Sequence, residues 1–358
     1  MIDLEAFRRL PLEIKVKKSL NRIQEWYEHW GGDVYVSFSG GKQSSVLLHL
    51  VKQLYKDIPV VFLDSGLEYP EIREFVKSFS PPPVILRPAI RFDEVLRQYG
   101  YPVISKEQSH YIYELRHSNS EKLKEKRLNG VISDSGRVSG KISDKWQYLA
   151  AAPFEISDRC CDVMKKRPFK KYEKDTGRKM MTGETAEESM LRQQQYLAHG
   201  CNGFNMKRPK STPLGFWTEQ DTLRYIKEND VPYCKAFYGD IVYEDKYTTT
   251  KYNRSGCMFC AYGVHSEKGL NRFQLMQKTH PKQWKYCIYD LGLKEVLEYI
   301  NVPYCRPPVA RDKYKEDTVK ISCRLNKEKF EYVKEVYGNL SNTELIDMLI
   351  DDTWEKLQ

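Results

Sequence analysis

The sequence predicts an α/β protein in which helices cover both faces of a parallel, Rossmann-like sheet. Two segments, residues 34–38 and the stretch "IPVVFLDSG", are apolar runs of strand length, and a helical pattern follows each of them. Apolar strands that alternate with helices are typical of parallel sheets buried on both faces. A chain of 358 residues is long enough for such a core and a small appendage.

The predicted elements follow one another in a regular order. An amphipathic helix over residues 4–30 precedes the first strand, and a helix over residues 44–55 follows it. The second strand ends at Asp64, and a helix over residues 70–79 leads to a third strand at residues 84–86. Residues 105–145 form a polar insertion, either a solvated surface or a substrate lid. We therefore expect one domain over residues 1–310 and a C-terminal module over residues 316–358.

The stretch "SGGKQSS" between the first strand and its helix has the features of a phosphate-binding loop. Glycines let the backbone turn sharply and approach a ligand, and the first amides of a helix attract anions. The alternative is an ordinary strand-to-helix turn. The spacing matches neither the P-loop nor the G-x-G-x-x-G pattern. The candidate nucleotide contacts are Ser39, Gly40, Gly41, Lys42, Gln43, Ser44 and Ser45.

Composition and charge limit the class of protein. No apolar run approaches the roughly 18 residues of a membrane span, and the N-terminal residues do not resemble a signal peptide. We therefore expect a cytoplasmic protein without membrane contact. The net charge of +9 favours an anionic partner, either a nucleotide or a nucleic acid.

Four of the nine cysteines occur as two pairs, Cys160–Cys161 and the Cys-x-x-Cys pair Cys257 and Cys260. Two such pairs can supply a four-thiolate site for zinc or for an iron–sulfur cluster. Adjacent cysteines are unusual for zinc, so we favour the cluster. The alternative is that these residues are buried as small apolar side chains.

Five segments in this order resemble the phosphoadenosine phosphosulfate reductase family of adenine-nucleotide α-hydrolase-like proteins. They span residues 30–265 and comprise "SFSGGKQSS", "VVFLDSGLEYPE", "RCCDVMKKRPF", "STPLGFWTEQDTLRYIKENDVPY" and "SGCMFC". The first also resembles the loop of N-type ATP pyrophosphatases, which cleave ATP between the α- and β-phosphates.

The resemblance implies roles for particular residues. It implies that Cys160, Cys161, Cys257 and Cys260 hold a four-iron four-sulfur cluster, as in the assimilatory adenylylsulfate reductases. The "GETAEESMLRQ" loop is similar to a family segment near the nucleotide, which makes Gly183 and Glu188 candidate contacts. The alternative is a helix N-terminus whose acids interact favourably with the helix dipole. Lys42, Asp64 and Arg192 are the candidate catalytic residues, and Mg²⁺ with ATP or a sulfonucleotide is the expected ligand.

Two features of this sequence depart from the pattern of the reductases. A C-terminal segment of the type ECGLH, which carries their catalytic cysteine, is not present in the sequence. The intact glycine pair instead favours ATP. ATP-cleaving loops usually read SGGxDS, and Gln43 occupies the position of the acid that helps to hold magnesium. We expect Asp64, Glu184, Glu187 or Glu188 to supply that charge.

The C-terminal residues alternate in polarity and then take helical spacing. A strand carrying Lys320, Ser322 and Arg324 on one side, followed by two helices, resembles the ribbon-helix-helix modules that bind DNA. The alternatives are a tail packed on the main domain and a dimerisation element, so a homodimer is a further expectation.

Three functions are consistent with these patterns. The leading hypothesis is an enzyme that cleaves ATP at the α-phosphate, adenylates an acceptor and transfers sulfur to it with the help of an iron–sulfur cluster. A second is a sulfonucleotide reductase with an unrecognised catalytic thiol. A third is a nucleotide-sensing regulator that binds DNA through its C-terminal module. For the first, the acceptor can be a nucleic acid, including RNA.

Overall fold

The structure, a computed structural model, describes residues 3–132, 136, 138–307, 331, 332, 334–336, 345, 346, 348 and 350. Its helices are α1 Leu4–Arg8, α2 Leu12–His29, α3 Lys42–Leu54, α4 Pro70–Lys77, α5 Phe92–Tyr99, α6 Lys106–His117, α7 Glu121–Asn129, α8 Arg159–Cys161, α9 Arg167–Thr176, α10 Met190–His199, α11 Glu219–Glu228, α12 Lys235–Tyr238, α13 Arg272–Thr279, α14 Pro281–Lys285 and α15 Leu293–Tyr299. Its strands are β1 Val34–Ser37, β2 Val60–Leu63, β3 Val84–Leu86, β4 Val103–Ile104, β5 Val131–Ile132, β6 Val138–Ser139, β7 Lys179–Thr182, β8 Asn202–Gly203, β9 Lys210–Ser211, β10 Ile241–Tyr243, β11 Tyr247–Thr249 and β12 Ala261–Tyr262.

The helix expected over residues 4–30 is two helices. The chain leaves α1 after Arg8 and enters α2 with Pro11 as its N-cap. Proline has no amide hydrogen and disfavours helical backbone in the residue before it, so the helix is interrupted just before Pro11. Within α2, Ile23 and Trp26 are buried, whereas Ile14 is exposed.

Six strands form the main sheet in the order β3-β2-β1-β7-β9-β8. All neighbouring strands in it are parallel except β8 and β9. Successive strands β1, β2 and β3 extend the sheet to one side of β1, and β7 lies on its other side. The order in which strands are added to the sheet therefore reverses between β1 and β7, although the two strands are parallel. In open α/β sheets, ligands bind at this switch point, outside the carboxyl ends of the strands.

Helices cover both faces of this sheet, as predicted. Val34 and Val36 of β1 belong to a large core with Trp26 of α2 and Val46 of α3. On the opposite face, Tyr35 packs in a smaller cluster against side chains of α9. Val34, Tyr35 and Val36 are thus buried on one side of the sheet or the other, which explains the apolar run in β1.

The chain divides into two compact units. The first comprises Met1–Gln98 and Arg159–Cys260 and contains the main sheet. The second comprises Tyr99–Asp158 and Ala261–Gln358 and includes the parallel pair β4–β12 and the antiparallel pair β5–β6. The polar residues 105–145 lie within the second unit. There the side chain of Arg127 is buried, is bonded to Glu114 and stacks 4.0 Å from the Tyr111 ring.

The C-terminal strand expected near residues 319–325, with Lys320, Ser322 and Arg324, lies outside the described residues. The resemblance of residues 316–358 to a ribbon-helix-helix module stays a prediction. Within the part of the chain that the structure describes, none of the helices has the length and apolar character needed to cross a bilayer.

Candidate nucleotide and thiol site

The loop between β1 and α3 forms a tight turn at the carboxyl end of β1. Gly40 has a φ of +72°, which favours glycine, and Gly41 is the N-cap of α3. The hydroxyl of Ser39 lies 3.1 Å from that of Ser44 and accepts a hydrogen bond from the Gly41 amide at 3.3 Å. The amides of Gln43 and Ser44 stand in the first turn of α3, where no intrahelical acceptor exists. The loop thus has the donors and the dipole of an anion site.

The two glycines of the loop serve different purposes. A Cβ on Gly40 would stand 2.8 Å from a methyl group of Ile72 in α4, so the glycine there allows close packing. A Cβ on Gly41 would meet the hydroxyls of Ser39 and Ser255 at 3.2 Å and that of Tyr238 at 3.5 Å. Gly41 therefore borders a small space lined by hydroxyl groups.

Gly183 brings a second strand end to the same loop. It follows β7, and a Cβ on it would stand 2.7 Å from the Gln43 carbonyl oxygen and 2.9 Å from the Ser44 amide nitrogen. The loops after β1 and β7 are therefore in backbone contact at the switch point of the sheet. Gly183 thus lies beside residues 39–45, and its contact with a nucleotide stays a prediction.

One polar atom of the loop has no partner. The hydroxyl of Ser45 is buried, and it makes no hydrogen bond within the described residues. Buried hydroxyl groups without a hydrogen bond are rare because desolvation costs free energy. A bound phosphate oxygen or water would satisfy it, which supports a polar ligand in this region.

Lys42 does not point into solvent. Its side chain is 2% exposed, its ammonium pairs with Glu219, and it lies 5.0 Å from the centre of the Tyr238 ring. The side-chain amide of Gln43 donates to the other carboxylate oxygen of Glu219 at 2.8 Å. One carboxylate at the start of α11 therefore holds two consecutive side chains of the loop. A contact between Lys42 and a phosphate stays a prediction.

Three of the acids expected near the phosphates are paired with arginine or lysine. Asp64 follows β2 and accepts a hydrogen bond from Arg73 at 2.9 Å. Glu184 accepts from Lys210 at 2.5 Å and from Arg192 at 3.5 Å, and Arg192 also contacts Glu188. Arg192 is therefore part of an ion-pair network.

The fourth of these acids, Glu187, reaches the start of α11, where it accepts a hydrogen bond from the Glu219 amide at 2.6 Å.

The ion pairs also set the pKa of Glu184. Burial alone would raise the pKa of this carboxyl group, but Lys210 and Arg192 outweigh burial and hold it below its usual value. Glu184, Arg192 and Lys210 line a small open cleft whose wall also contains Tyr196 and Cys201. Burial raises the pKa of the Cys201 thiol to about 12, which keeps this thiol protonated.

The four cysteines of the two pairs come together in the first unit. Cys160 and Cys161 start one helical run, since α8 continues through the π-helical turn Asp162–Lys166 into α9. Their sulfurs lie 4.0 Å apart. The Cys161 contact and burial raise the pKa of Cys160, and Cys260 and Cys257 add to the effect. Residues almost 100 positions apart in sequence thus share one electrostatic environment.

Lys165 places a cation among these thiols. The Cys257 sulfur raises the pKa of Lys165 against the effect of burial, and Glu68 adds to it. Burial raises the pKa of Cys257, while the hydrogen bond and charge of Lys165 oppose the rise. The Glu68 carboxylate accepts hydrogen bonds from the backbone amide of Ser65 at 2.9 Å and from the Ser65 hydroxyl at 2.6 Å. The Cys257 thiol therefore lies beside a charged group that favours its thiolate.

The geometry also bears on the kind of metal group that the thiols could hold. Around one zinc ion, tetrahedral thiolates at 2.3 Å leave about 3.8 Å between sulfurs. In the described part of the chain, no three His, Cys, Asp or Glu side chains are arranged to hold a single ion. None of the described cysteines forms a disulfide either. The kind of metal group that these thiols could hold, a zinc ion or a four-iron four-sulfur cluster, stays a prediction.

The thiol region and the loop are linked through a short segment. Ser255 lies beside Gly41, and Cys257 is two residues further along the chain. The amide of Met258 donates to the carbonyl of Leu67, just beyond the carboxyl end of β2, at 2.8 Å. The Cys-x-x-Cys turn is therefore fixed to the same edge of the sheet as the loop.

The phosphoadenosine phosphosulfate reductase domain model matches residues 33–82 and 105–262. The chain belongs to the phosphoadenosine phosphosulfate reductase family. The matched residues include the loop, Asp64, Gly183 and all four paired cysteines. The family assigned from the five sequence segments is confirmed.

Among the relatives of this family member is an uncharacterized protein of Methanocaldococcus jannaschii. It is 27% identical over 257 residues, 70% of this chain and 47% of the relative. The chain thus spans about half the length of that protein. An adenosine 5′-phosphosulfate reductase of Oceanobacillus iheyensis is 22% identical over 267 residues, 72% of this chain and 85% of the relative. A crystal structure of phosphoadenylyl-sulfate reductase from Candida auris, in a phosphate complex, shows 16% identity and a TM-score of 0.36 over 61% of this chain and 82% of that one.

Sequence reasoning missed several residues of this site. Tyr238 carries no local signal, because only the tertiary fold brings it to Gly41. Lys165 follows Cys161 by four residues, about one helical turn, and that spacing was a usable signal. Glu68 stands just after the carboxyl end of β2, the edge where ligands bind.

Proposed function

We propose that this family member binds an adenine nucleotide in the loop of residues 39–45, cleaves ATP at the α-phosphate to adenylate an acceptor, and transfers sulfur to that acceptor. One observation supports the proposal most strongly. The loop and the four thiols meet through one segment, in which Ser255 borders Gly41 and Cys257 carries the thiol beside Lys165. An activated acceptor at the loop would lie near the sulfur chemistry.

The chain's own residues suit the adenylation step. An acceptor oxygen attacks the α-phosphorus, the bond to the bridging oxygen breaks, and pyrophosphate leaves with magnesium. The amides at the start of α3 and the hydroxyls of Ser39 and Ser45 can bind the phosphoryl oxygens as charge develops on them. In this scheme the protein supplies no nucleophile.

In the second half of the reaction, a sulfide-level sulfur donor attacks the activated carbon of the acceptor, the bond from that carbon to the adenylate oxygen breaks and AMP leaves, with no change of oxidation state. Cys160, Cys161, Cys257 and Cys260 would hold a four-iron four-sulfur cluster, which when bound provides iron for sulfur chemistry or single-electron transfer. Lys165 places its ammonium next to Cys257 and offsets negative charge there. The net charge of +9 supports a polyanionic acceptor, which makes a nucleic acid, including RNA, the favoured class.

A second candidate function is reduction of a sulfonucleotide. It is supported by the relatives named adenosine 5′-phosphosulfate reductase, including one of Staphylococcus epidermidis that is 24% identical over 222 residues. The ECGLH segment that carries the catalytic cysteine of the reductases is not found in this sequence. The reductase would therefore need a different thiol.

A nucleotide panel separates these functions. Anaerobically purified protein is incubated with ATP, adenylylsulfate or phosphoadenylylsulfate in the presence of a dithiol reductant, with and without bulk tRNA or duplex DNA, and pyrophosphate and sulfite are measured. Pyrophosphate from ATP supports adenylation. Sulfite from a sulfonucleotide supports the reductase and overturns the leading proposal. Tight nucleotide binding without either product favours the DNA-binding regulator.

A further inference from the structure

The start of α11 presents a carboxylate that no sequence pattern connects to the nucleotide loop. Glu219 lies 177 residues beyond Lys42 in the chain, yet it pairs with the Lys42 ammonium through one oxygen and accepts from Gln43 at 2.8 Å through the other. Gln43 occupies the position where ATP-cleaving loops carry an acid. The carboxylate of Glu219 therefore stands next to that position.

Glu219 is itself held in place. Thr218 and Asp221 form a capping box at the start of α11, in which the Thr218 amide donates to Asp221 at 2.7 Å and the Asp221 amide to Thr218 at 3.2 Å. The same Asp221 carboxylate accepts from the buried Lys15 of α2 at 2.5 Å. The Glu219 amide donates to Glu187. A carboxylate on such an anchored turn has little freedom to follow a moving loop.

The partners of Glu219 are the first two residues of α3. Lys42 is 2% exposed, so its charge depends on this one carboxylate for compensation among the described contacts. The backbone of the same residues forms the turn whose amides would bind a phosphate of the proposed nucleotide. Fixing both side chains fixes the direction of these amides.

We infer that Glu219 is a positioning residue of the nucleotide site, which acts through Lys42 and Gln43 to hold the phosphate-binding turn in its binding geometry. This inference rests on the proposed nucleotide binding. It assigns Glu219 a role different from that of a magnesium ligand, because both carboxylate oxygens already accept hydrogen bonds from the loop.

The test combines four proteins in calorimetric titrations with ATP, each with and without Mg²⁺. They are the wild type, Glu219→Gln, Lys42→Met and the double variant, and a thermal melt checks that each is folded. The double variant removes the buried cation that Glu219→Gln leaves unpaired, so it keeps the test usable if the single variant is unstable. Glu228→Gln, on the exposed side of the same helix, is the matched control.

We expect Glu219→Gln to weaken ATP binding about tenfold or more, to the same extent with and without Mg²⁺. In the Lys42→Met background, Glu219→Gln should weaken ATP binding little further, because Glu219 acts through the loop side chains. The control should bind as the wild type does. Additive effects, or a loss confined to the Mg²⁺ titration, would show that Glu219 acts independently and overturn the inference. An unchanged ATP affinity in a folded Glu219→Gln variant would also overturn the inference, while the proposed nucleotide binding would stand. A wild-type protein that binds no adenine nucleotide would overturn the proposed function as well.

Discussion

Gly183 and Gln43 lie in backbone contact, although 140 positions separate them in the chain. A Cβ on Gly183 would stand 2.7 Å from the Gln43 carbonyl oxygen and 2.8 Å from its carbonyl carbon. These residues leave neighbouring strands, β7 and β1, at the switch point of the sheet. The contact couples the "GETAEES" loop to the geometry of the phosphate-binding turn, and only glycine permits it.

The first prediction follows from this contact. Gly183→Ala places a methyl group against backbone that cannot move aside, so it should destabilise the fold by about 1–3 kcal/mol and weaken nucleotide binding. Gly256→Ala is the matched control, because a Cβ there meets nothing within 4 Å and its φ is not positive. Urea unfolding and calorimetric titration with ATP measure the two effects. Wild-type behaviour of Gly183→Ala would show that the two loops are not coupled.

The sequence was sufficient to predict the strand, the glycine loop and the helix that follow one another near residue 40. Their signals are local: apolar runs, adjacent glycines and helical spacing. Ion pairs such as Lys42–Glu219 could not be predicted, because many lysines and glutamates satisfy the same pattern and only the packing of α11 selects one. The division of the first helix at Pro11 was predictable from that proline.

The second prediction concerns the cysteine pairs. Cys257→Ser should lose the metal group and much of the stability, since metal binding and folding are coupled. Cys201→Ser, at a buried thiol outside the pairs, should keep the metal group. Iron and sulfide contents of anaerobically purified proteins, with their visible absorption, provide the measurement. About four irons per chain in the wild type support the cluster, and one zinc with no iron would rule it out.

The third prediction concerns the cation beside these thiols. Lys165→Met removes a positive charge next to Cys257 without removing a ligand, so the iron content should stay while the reduction potential of the cluster falls. The neighbouring Lys166→Met, at an exposed position, is the control. Potentiometric titration followed by visible absorption measures the shift. Equal potentials in the two variants would mean that Lys165 does not act on the cluster.

The fourth prediction is a pH dependence. The pKa of Glu184 lies below its usual value because Lys210 and Arg192 outweigh burial. Its ion pairs therefore stabilise the fold above the unfolded pKa of about 4.3, and this contribution is lost as the pH falls through the folded pKa. Glu184→Gln should lower the free energy of unfolding at pH 7, and the difference from wild type should narrow below about pH 4. A difference that stays constant with pH would mean that the carboxyl group contributes only through packing.

The last prediction is that substitutions of the two loop glycines have different effects, because Gly40 is needed for packing and Gly41 for ligand binding. Gly40 has a φ of +72°, and a Cβ there would stand 2.8 Å from Ile72, so Gly40→Ala should cost about 1–3 kcal/mol of stability through strain and overpacking. Gly41 has a φ of −81°, which alanine adopts freely. Its Cβ would enter the space bordered by the Ser39 and Ser255 hydroxyls at 3.2 Å. Gly41→Ala should therefore melt close to the wild type yet bind ATP at least tenfold more weakly, if a phosphate occupies that space. Thermal melts and titrations of both variants distinguish the cases. A Gly41→Ala protein with wild-type affinity would show that the turn only connects β1 to α3.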